Sequence, residues 1–316
     1  MRTELSGYIT LKCNSRCIHC AVDAGQKKKE ELSFEEWKKI LKRFSEIGGK
    51  TFTVHGGEPF IRQDMIPILR YATSLNLQCG VITNGLLLDD RKLHMLKDCI
   101  EWLLISLDGP GKVYKELRGV DGAEKAVATI EKAKEIGVNV AIDFVVTRKN
   151  IEYIDWIVDI AVNFQVEWLT LELLRAQGRG EKLKDYLLEG NHIIEVNKRV
   201  ETLNKKYGGK PRFITHGEVD LKRFKDNPNL FKYADKTFWF LPDGVLLPDI
   251  ALSDNRYWYA GNLLVGFDLN KQKIREYETF RELVFTNVCK KLSRNCPVNW
   301  EEEIYKAGKM INNDFR

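Results

Sequence analysis

The sequence has no run of about eighteen apolar residues, the least a membrane-crossing helix needs. Its first residues form no apolar signal region. These two absences predict a cytoplasmic protein without a membrane partner. In that reducing compartment its seven cysteines serve metal binding or core packing rather than disulfides. Internal repeats of solenoid period and low-complexity segments are also missing. The net charge is only +5 over 316 residues, and Lys and Glu alternate along helix-like stretches. No basic stripe carries interleaved aromatics, so a nucleic-acid partner is not expected. With 44% hydrophobic residues the chain can bury one large core, alone or with an appendage.

Cysteine becomes scarce after residue 99, where only Cys289 and Cys296 remain. Three of the other five sit together as Cys13, Cys17 and Cys20, spaced C-x3-C-x2-C. Three thiolates on one loop make a soft site suited to iron–sulfur or zinc. On a four-site centre they leave one position open, which marks a reactive rather than a closed structural site. Structural zinc needs a fourth ligand; His19 is adjacent to Cys20, which makes joint binding of one ion awkward. There is no second C-x2-C pair, and three is the wrong number for disulfides.

The first two-thirds alternate β-type runs with helical stretches. Strands are expected near Tyr8–Leu11, Thr51–His55, Gln78–Thr83, Trp102–Asp108, Val138–Val146 and Val166–Leu174. Ser33 and Glu36 form a capping box before the first helix; Asp64 and Asn150 are expected to cap later ones. Six βα units imply a parallel sheet with right-handed crossovers. After a helical stretch at 186–207, residues 209–236 read as irregular. Then Thr237–Leu247 reads as a β-hairpin turning at Asp243-Gly244, and a tail helix is expected near 276–285. The predicted class is α/β: a partial (β/α)6 TIM-like barrel over 1–185, with a C-terminal α+β extension containing the hairpin over 186–316.

In such a barrel reactive groups collect at the C-terminal ends of the strands. The cysteine loop follows the first strand there, Gly56-Gly57-Glu58-Pro59 the second, and Asn84-Gly85 the third; Ser106 and Asp108 end the fourth. With these residues the chain resembles the radical S-adenosylmethionine (SAM) superfamily over roughly residues 6–180. The cysteine motif has an aromatic residue before its last cysteine, here His19. Gly56 to Pro59 match the second motif, and Ser106 with Asp108 the ribose-contacting strand. The resemblance implies a [4Fe–4S] cluster on Cys13, Cys17 and Cys20, with SAM on the open iron. It implies reductive cleavage of SAM to a 5′-deoxyadenosyl radical that takes hydrogen from a substrate. His19 would face the adenine, Gly56 and Gly57 would admit the SAM amino group, and Glu58 would fix the turn or accept from that ammonium. Ser106 and Asp108 would bind the ribose. Asn84 lines the rim or serves its turn, and Arg175 binds the SAM carboxylate or pairs with Glu172. Tyr114 and Arg118 lie where a substrate could be held.

The last third is similar to the SPASM/Twitch extension of peptide- and protein-modifying members, in which cysteines carry auxiliary clusters. Here Pro248-Asp249 stands where that pattern places a cysteine, and two late cysteines cannot complete a four-thiolate cluster. A degenerate extension without an auxiliary cluster is therefore expected. The leading expectation is a maturase-type enzyme acting on a peptide or protein. The alternatives are a superfamily member acting on a sugar, nucleotide or antibiotic precursor, and an iron–sulfur electron carrier or zinc-stabilised binding protein. The expected partners are an external one-electron donor of flavodoxin or ferredoxin type and, because the first strand starts almost at residue 1, a separate peptide-recognition protein.

Overall fold

The computed structural model describes residues 2–25, 30–216, 218–219, 237–252, 256–292 and 298–314. Strands β1 (Glu4–Thr10), β2 (Thr51–Gly56), β3 (Gln78–Thr83), β4 (Trp102–Ser106), β5 (Val140–Val146) and β6 (Trp168–Leu173) lie side by side in chain order. Every neighbouring pair among them is parallel. Between them run α1 (Phe34–Glu46), α2 (Met65–Ser74), α3 (Asp90–Lys97), α4 (Gly111–Arg118), α5 (Ala123–Ile136) and α6 (Ile154–Asn163). The six expected βα units are present.

The burial pattern shows which face carries the site. Along β2, β5 and β6, half-buried residues alternate with fully buried ones, the period of a strand with two different faces. The fully buried set, including Phe52, Val54, Ile142, Phe144, Leu169 and Leu171, belongs to the main core. Core-facing helix residues such as Trp37, Ile40, Leu41 and Phe44 of α1 belong to it as well. The half-buried set, including His55, Asp143 and Glu172, faces the barrel interior, where all three line one cavity. Tyr8 of β1 and Glu172 of β6 share that cavity, although five strand spacings, about 24 Å on a flat sheet, separate them. The sheet must therefore curl, as a partial barrel does.

Two of the expected helix caps are built differently. Ser33 and Glu36 do form the capping box of α1. Asp64 makes no cap bond; both its oxygens accept from Arg62, at 3.0 and 2.8 Å. Asn150 is fully buried. Its Oδ1 accepts from the Thr147 amide (2.7 Å), and its Nδ2 donates to the Asp108 and Val145 carbonyls. It staples the β4 and β5 loops rather than capping a helix.

The stretch expected to be irregular contains a strand. β7 (Arg212–His216) follows α7 (Gly190–Tyr207) and pairs in parallel with β6. A short two-residue strand at Glu218–Val219 pairs with Val298–Asn299 in a separate ladder. Residues 220–236 lie outside the described ones. The hairpin forms as expected, from Thr237–Phe240 and Val245–Leu247. Its first strand adds to the free edge of β1 in parallel, from Glu4 with Thr237 to Gly7 with Phe240. Among the described residues the sheet thus has ten strands, running without interruption from a two-residue edge strand at Gly261–Asn262 through the hairpin and the barrel to β7. The tail helix is longer than expected, Lys271–Leu292. With Trp300–Asp314 it packs a second small core around Trp258, Tyr277, Phe280 and Ile304. No described helix is long and apolar enough to cross a membrane.

Candidate functional site

The interior face of the sheet, the cysteine loop and two later segments line a cavity of about 400 Å3 that opens to solvent. Cys13, Cys17 and Cys20 all line it, as do His19, Gly56, Gly57, Asn84, Ser106 and Arg175. From the C-terminal third come Trp239, Ile250 and Ala251. Glu58, Pro59 and Asp108, expected at the same rim, stand behind the cavity wall.

The cysteine loop is held on every side through its backbone. The Gly57 amide donates to the Thr10 carbonyl and the Glu58 amide to Lys12, both at 2.8 Å. A Cβ on Gly57 would lie 2.0 Å from the Lys12 carbonyl oxygen, and one on Gly56 2.3 Å from that of Thr10. The close approach these glycines allow in the structure is therefore that of the cysteine loop. Gly57→Ala is expected to displace the loop and cost about 1–3 kcal/mol, as overpacking does, read as a lower unfolding midpoint together with reduced iron uptake.

From α4, the Arg118 and Leu117 carbonyls accept from the Arg16 and Ile18 amides, at 3.0 and 2.9 Å. From the loop after β6, Arg179 reaches three acceptors: the Cys17 carbonyl (2.7 Å), the Ala24 carbonyl (2.7 Å) and Asp23 (2.8 Å). Its amide donates to the Cys20 carbonyl. From the turn after β3, Asn84 donates to Asn14 Oδ1 (2.7 Å) and Ser15 Oγ (3.3 Å).

Glu58 is fully buried. It accepts from Thr83 Oγ1 (2.7 Å), the Phe60 amide (3.1 Å) and the Asn84 amide (2.8 Å). Of its two expected roles, fixing the turn is the one this geometry displays. Pro59 opens a buried 3-10 turn behind it. Asp108 is also fully buried and fully engaged. Its Oδ2 accepts from Arg118 Nε at 2.6 Å and lies 3.2 Å from His19 Nε2, and its Oδ1 accepts from the Val145 amide. Burial alone would raise its pKa, but Arg118 and His19 outweigh that and hold it well below the carboxylate range. Ser106 faces the cavity; Asp108 orients the His19 ring instead. Tyr114 is buried, and Arg118 is committed to Asp108. Arg175 is paired with Glu172.

Sequence reasoning missed the grip of Arg179 and the place of Asp143. The latter pairs in register with Ser106 and lines the cavity. Its signal was present: one carboxylate inside the otherwise apolar run Val140–Val146.

The donor set suits an iron–sulfur centre. Three thiols line one cavity, and two receive N–H bonds, from Ser15 to Cys13 and from Ala24 to Cys20, each at 3.4 Å; such bonds to sulfur tune clusters. Burial raises Cys13 to about 11 and also raises Cys17, so a metal must displace thiol protons to bind. The buried Nδ1 of His19 has no partner among the described residues, leaving one polar atom for a bound group to meet. Cys79 and Cys99 are buried core residues. The Cys289 side chain and Cys296 lie outside the described residues.

The family profile described as the Radical SAM superfamily matches residues 8–161. The AdoMet-dependent heme synthase of Oleidesulfovibrio alaskensis is 32% identical over 203 residues, 63% of this chain and 51% of that protein. The mycofactocin maturase MftC of Mycolicibacterium smegmatis is 30% identical over 187 residues, 58% of this chain and 47% of that one. The chain thus spans about half the length of these relatives. Streptococcus suis SuiB bound to S-adenosylmethionine shares the fold, with a TM-score of 0.73 at 19% identity over 84% of this chain and 64% of that one. Residues 8–161 belong to the radical SAM superfamily, whose cofactors are a [4Fe–4S] cluster and SAM.

Proposed function

We propose that this protein is a SAM-cleaving enzyme that takes a hydrogen atom from a peptide or protein substrate. Cys13, Cys17 and Cys20 would hold the cluster, and Ser106, His19 and the cavity-facing backbone of Gly56 and Gly57 would meet SAM. Asn84 would position the cluster loop, and Arg175 would face the SAM carboxylate from beside Glu172. When bound, the reduced cluster supplies the electron that cleaves SAM to the 5′-deoxyadenosyl radical. The chain's own residues orient the loop and hold the half-buried thiols at the wall of a cavity lined by the barrel and by Trp239, Ile250 and Ala251.

The observation that carries the peptide reading is that the cavity, about 400 Å3, opens to solvent rather than closing around its contents. A side chain projecting from a larger partner can therefore enter it beside SAM while the rest of that partner stays outside. The name of the maturase relative supports the same reading. A small-molecule substrate is the second reading, favoured by the heme synthase relative. In the leading reading, residues 1–185 form the chemical core and 186–316 close it over the substrate, without an auxiliary cluster. A flavodoxin- or ferredoxin-like donor supplies the electron, and a separate protein presents the peptide.

Anaerobic reconstitution is expected to load about four irons per chain, one cubane, and addition of SAM and dithionite to release 5′-deoxyadenosine. Close to eight irons would overturn the single-cluster reading. Cluster-loaded protein that neither binds nor cleaves SAM would overturn the enzyme reading in favour of electron carriage.

A further inference from the structure

We propose that Asp143 is a specificity-determining residue: its carboxylate receives a cationic group, an ammonium or guanidinium, that the substrate carries into the barrel. The choice of a peptide as probe rests on the peptide-modifying reading above.

The ionic groups around the cavity are otherwise matched. Glu172 has Arg175, Asp108 has Arg118 and His19, and Asp23 has Arg179. Asp143 lines the same cavity, yet no hydrogen bond or salt bridge from a described residue reaches its carboxyl. Burial, and next the Glu172 and Asp108 carboxylates, hold its pKa well above the usual carboxylate range; the Arg118 and Arg175 guanidiniums act against this but, each tied to another carboxylate, do not offset it. His55, which also lines the cavity, does not supply one, because burial holds its pKa down to about 4 and the ring is neutral at pH 7.

A second acceptor tells the same story independently. Gln177 lines this cavity and is 1% exposed. Its Nε2 donates to the Ala251 carbonyl at 3.4 Å, while its Oε1 accepts from nothing described. Buried acceptors without donors are costly. In this cavity the buried Gln177 oxygen asks for a ligand with an N–H group, and the half-buried, unmatched Asp143 carboxylate asks for one that is positively charged. The Tyr8, His55 and Trp239 rings stand edge-to-face along another wall, apolar surface against which the stem of a basic side chain can lie.

SAM also brings an ammonium, so the test separates the two sources. With the cluster-loaded enzyme held anaerobically in saturating SAM, equilibrium binding is measured for acetyl-Gly-Lys-Gly-amide and for its norleucine and glutamate counterparts. The lysine peptide is expected to bind about tenfold or more tightly than the norleucine peptide, the scale of a charge-assisted hydrogen bond, and the glutamate peptide most weakly. Asp143→Asn is expected to erase the lysine preference without changing the affinity for SAM. Equal affinity for lysine and norleucine peptides overturns the proposal. So does a loss of SAM affinity in Asp143→Asn, which would give the carboxylate to SAM. If that variant does not fold, the three wild-type affinities decide. The peptide measurement reads binding, whereas the enzyme reading stands or falls on 5′-deoxyadenosine, so the two fail separately.

Discussion

Cys17→Ser protein, reconstituted anaerobically, is expected to hold far less iron than wild type and to release no 5′-deoxyadenosine from SAM, while its circular dichroism stays that of the wild type. The loop should survive because its ties run through backbone. Arg179 binds the Cys17 carbonyl, not the thiol, and the Arg16 and Ile18 amides bind α4 carbonyls. The metal should not survive, because a serine oxygen is a hard ligand in a place that wants soft sulfur. Burial already makes the Cys17 thiol reluctant to ionise, and an alkoxide there would be less favourable still. Cys79→Ala is the control: that thiol is 1% exposed in the main core, near Thr73. It should lower the unfolding midpoint and leave iron content unchanged. Wild-type iron in Cys17→Ser would overturn the ligand assignment.

The second large effect lies in the buried pair beneath the loop. Arg118→Met is expected to cost about 3–5 kcal/mol, the scale for stranding a buried charge. It leaves the Asp108 carboxylate with only His19 and the Val145 amide. Adding Asp108→Leu should recover a large part of that loss, since removing both charges also removes the desolvation penalty. The pair also predicts a pH dependence. The folded-state pKa of Asp108 lies below its ordinary 3.8, so the stability it contributes is present above that value and lost as pH falls through the folded pKa. Urea midpoints should therefore decline more steeply below about pH 4 for wild type than for the double variant. Parallel curves would remove Asp108 from that role.

Legibility followed the range of the interactions. The cysteine motif, the Gly56-Gly57 turn and the α1 capping box are local, and the structure places all three where the sequence does. Asp64 and Asn150 carry the right side chains for caps, but their partners, Arg62 and the Asp108 and Val145 carbonyls, are fixed by loops that local sequence does not describe. β7 is the run Arg-Phe-Ile-Thr-His, too polar to read as a strand until β6 offers it an edge. Asp108 shows a subtler limit. Counting by twos from Ser106 turns it toward the cavity, but β4 ends at Ser106. Beyond a strand's last residue the alternation no longer holds, and Asp108 turns to Arg118.

The pairing of β1 with the hairpin strand has a consequence for how the protein is made. Glu4 of the strand that leads into the cysteine loop finds its outer neighbour only at Thr237. On a ribosome adding about 5–20 residues per second, that edge stays bare for on the order of ten seconds or more after β1 emerges. The thiols themselves stay reachable, since the residues that wall them in from above, Trp239, Ile250 and Ala251, arrive later still. Chain order therefore opens an interval in which iron and sulfide can be delivered to a loop already seated on β2 but not yet roofed, and completing the hairpin closes it.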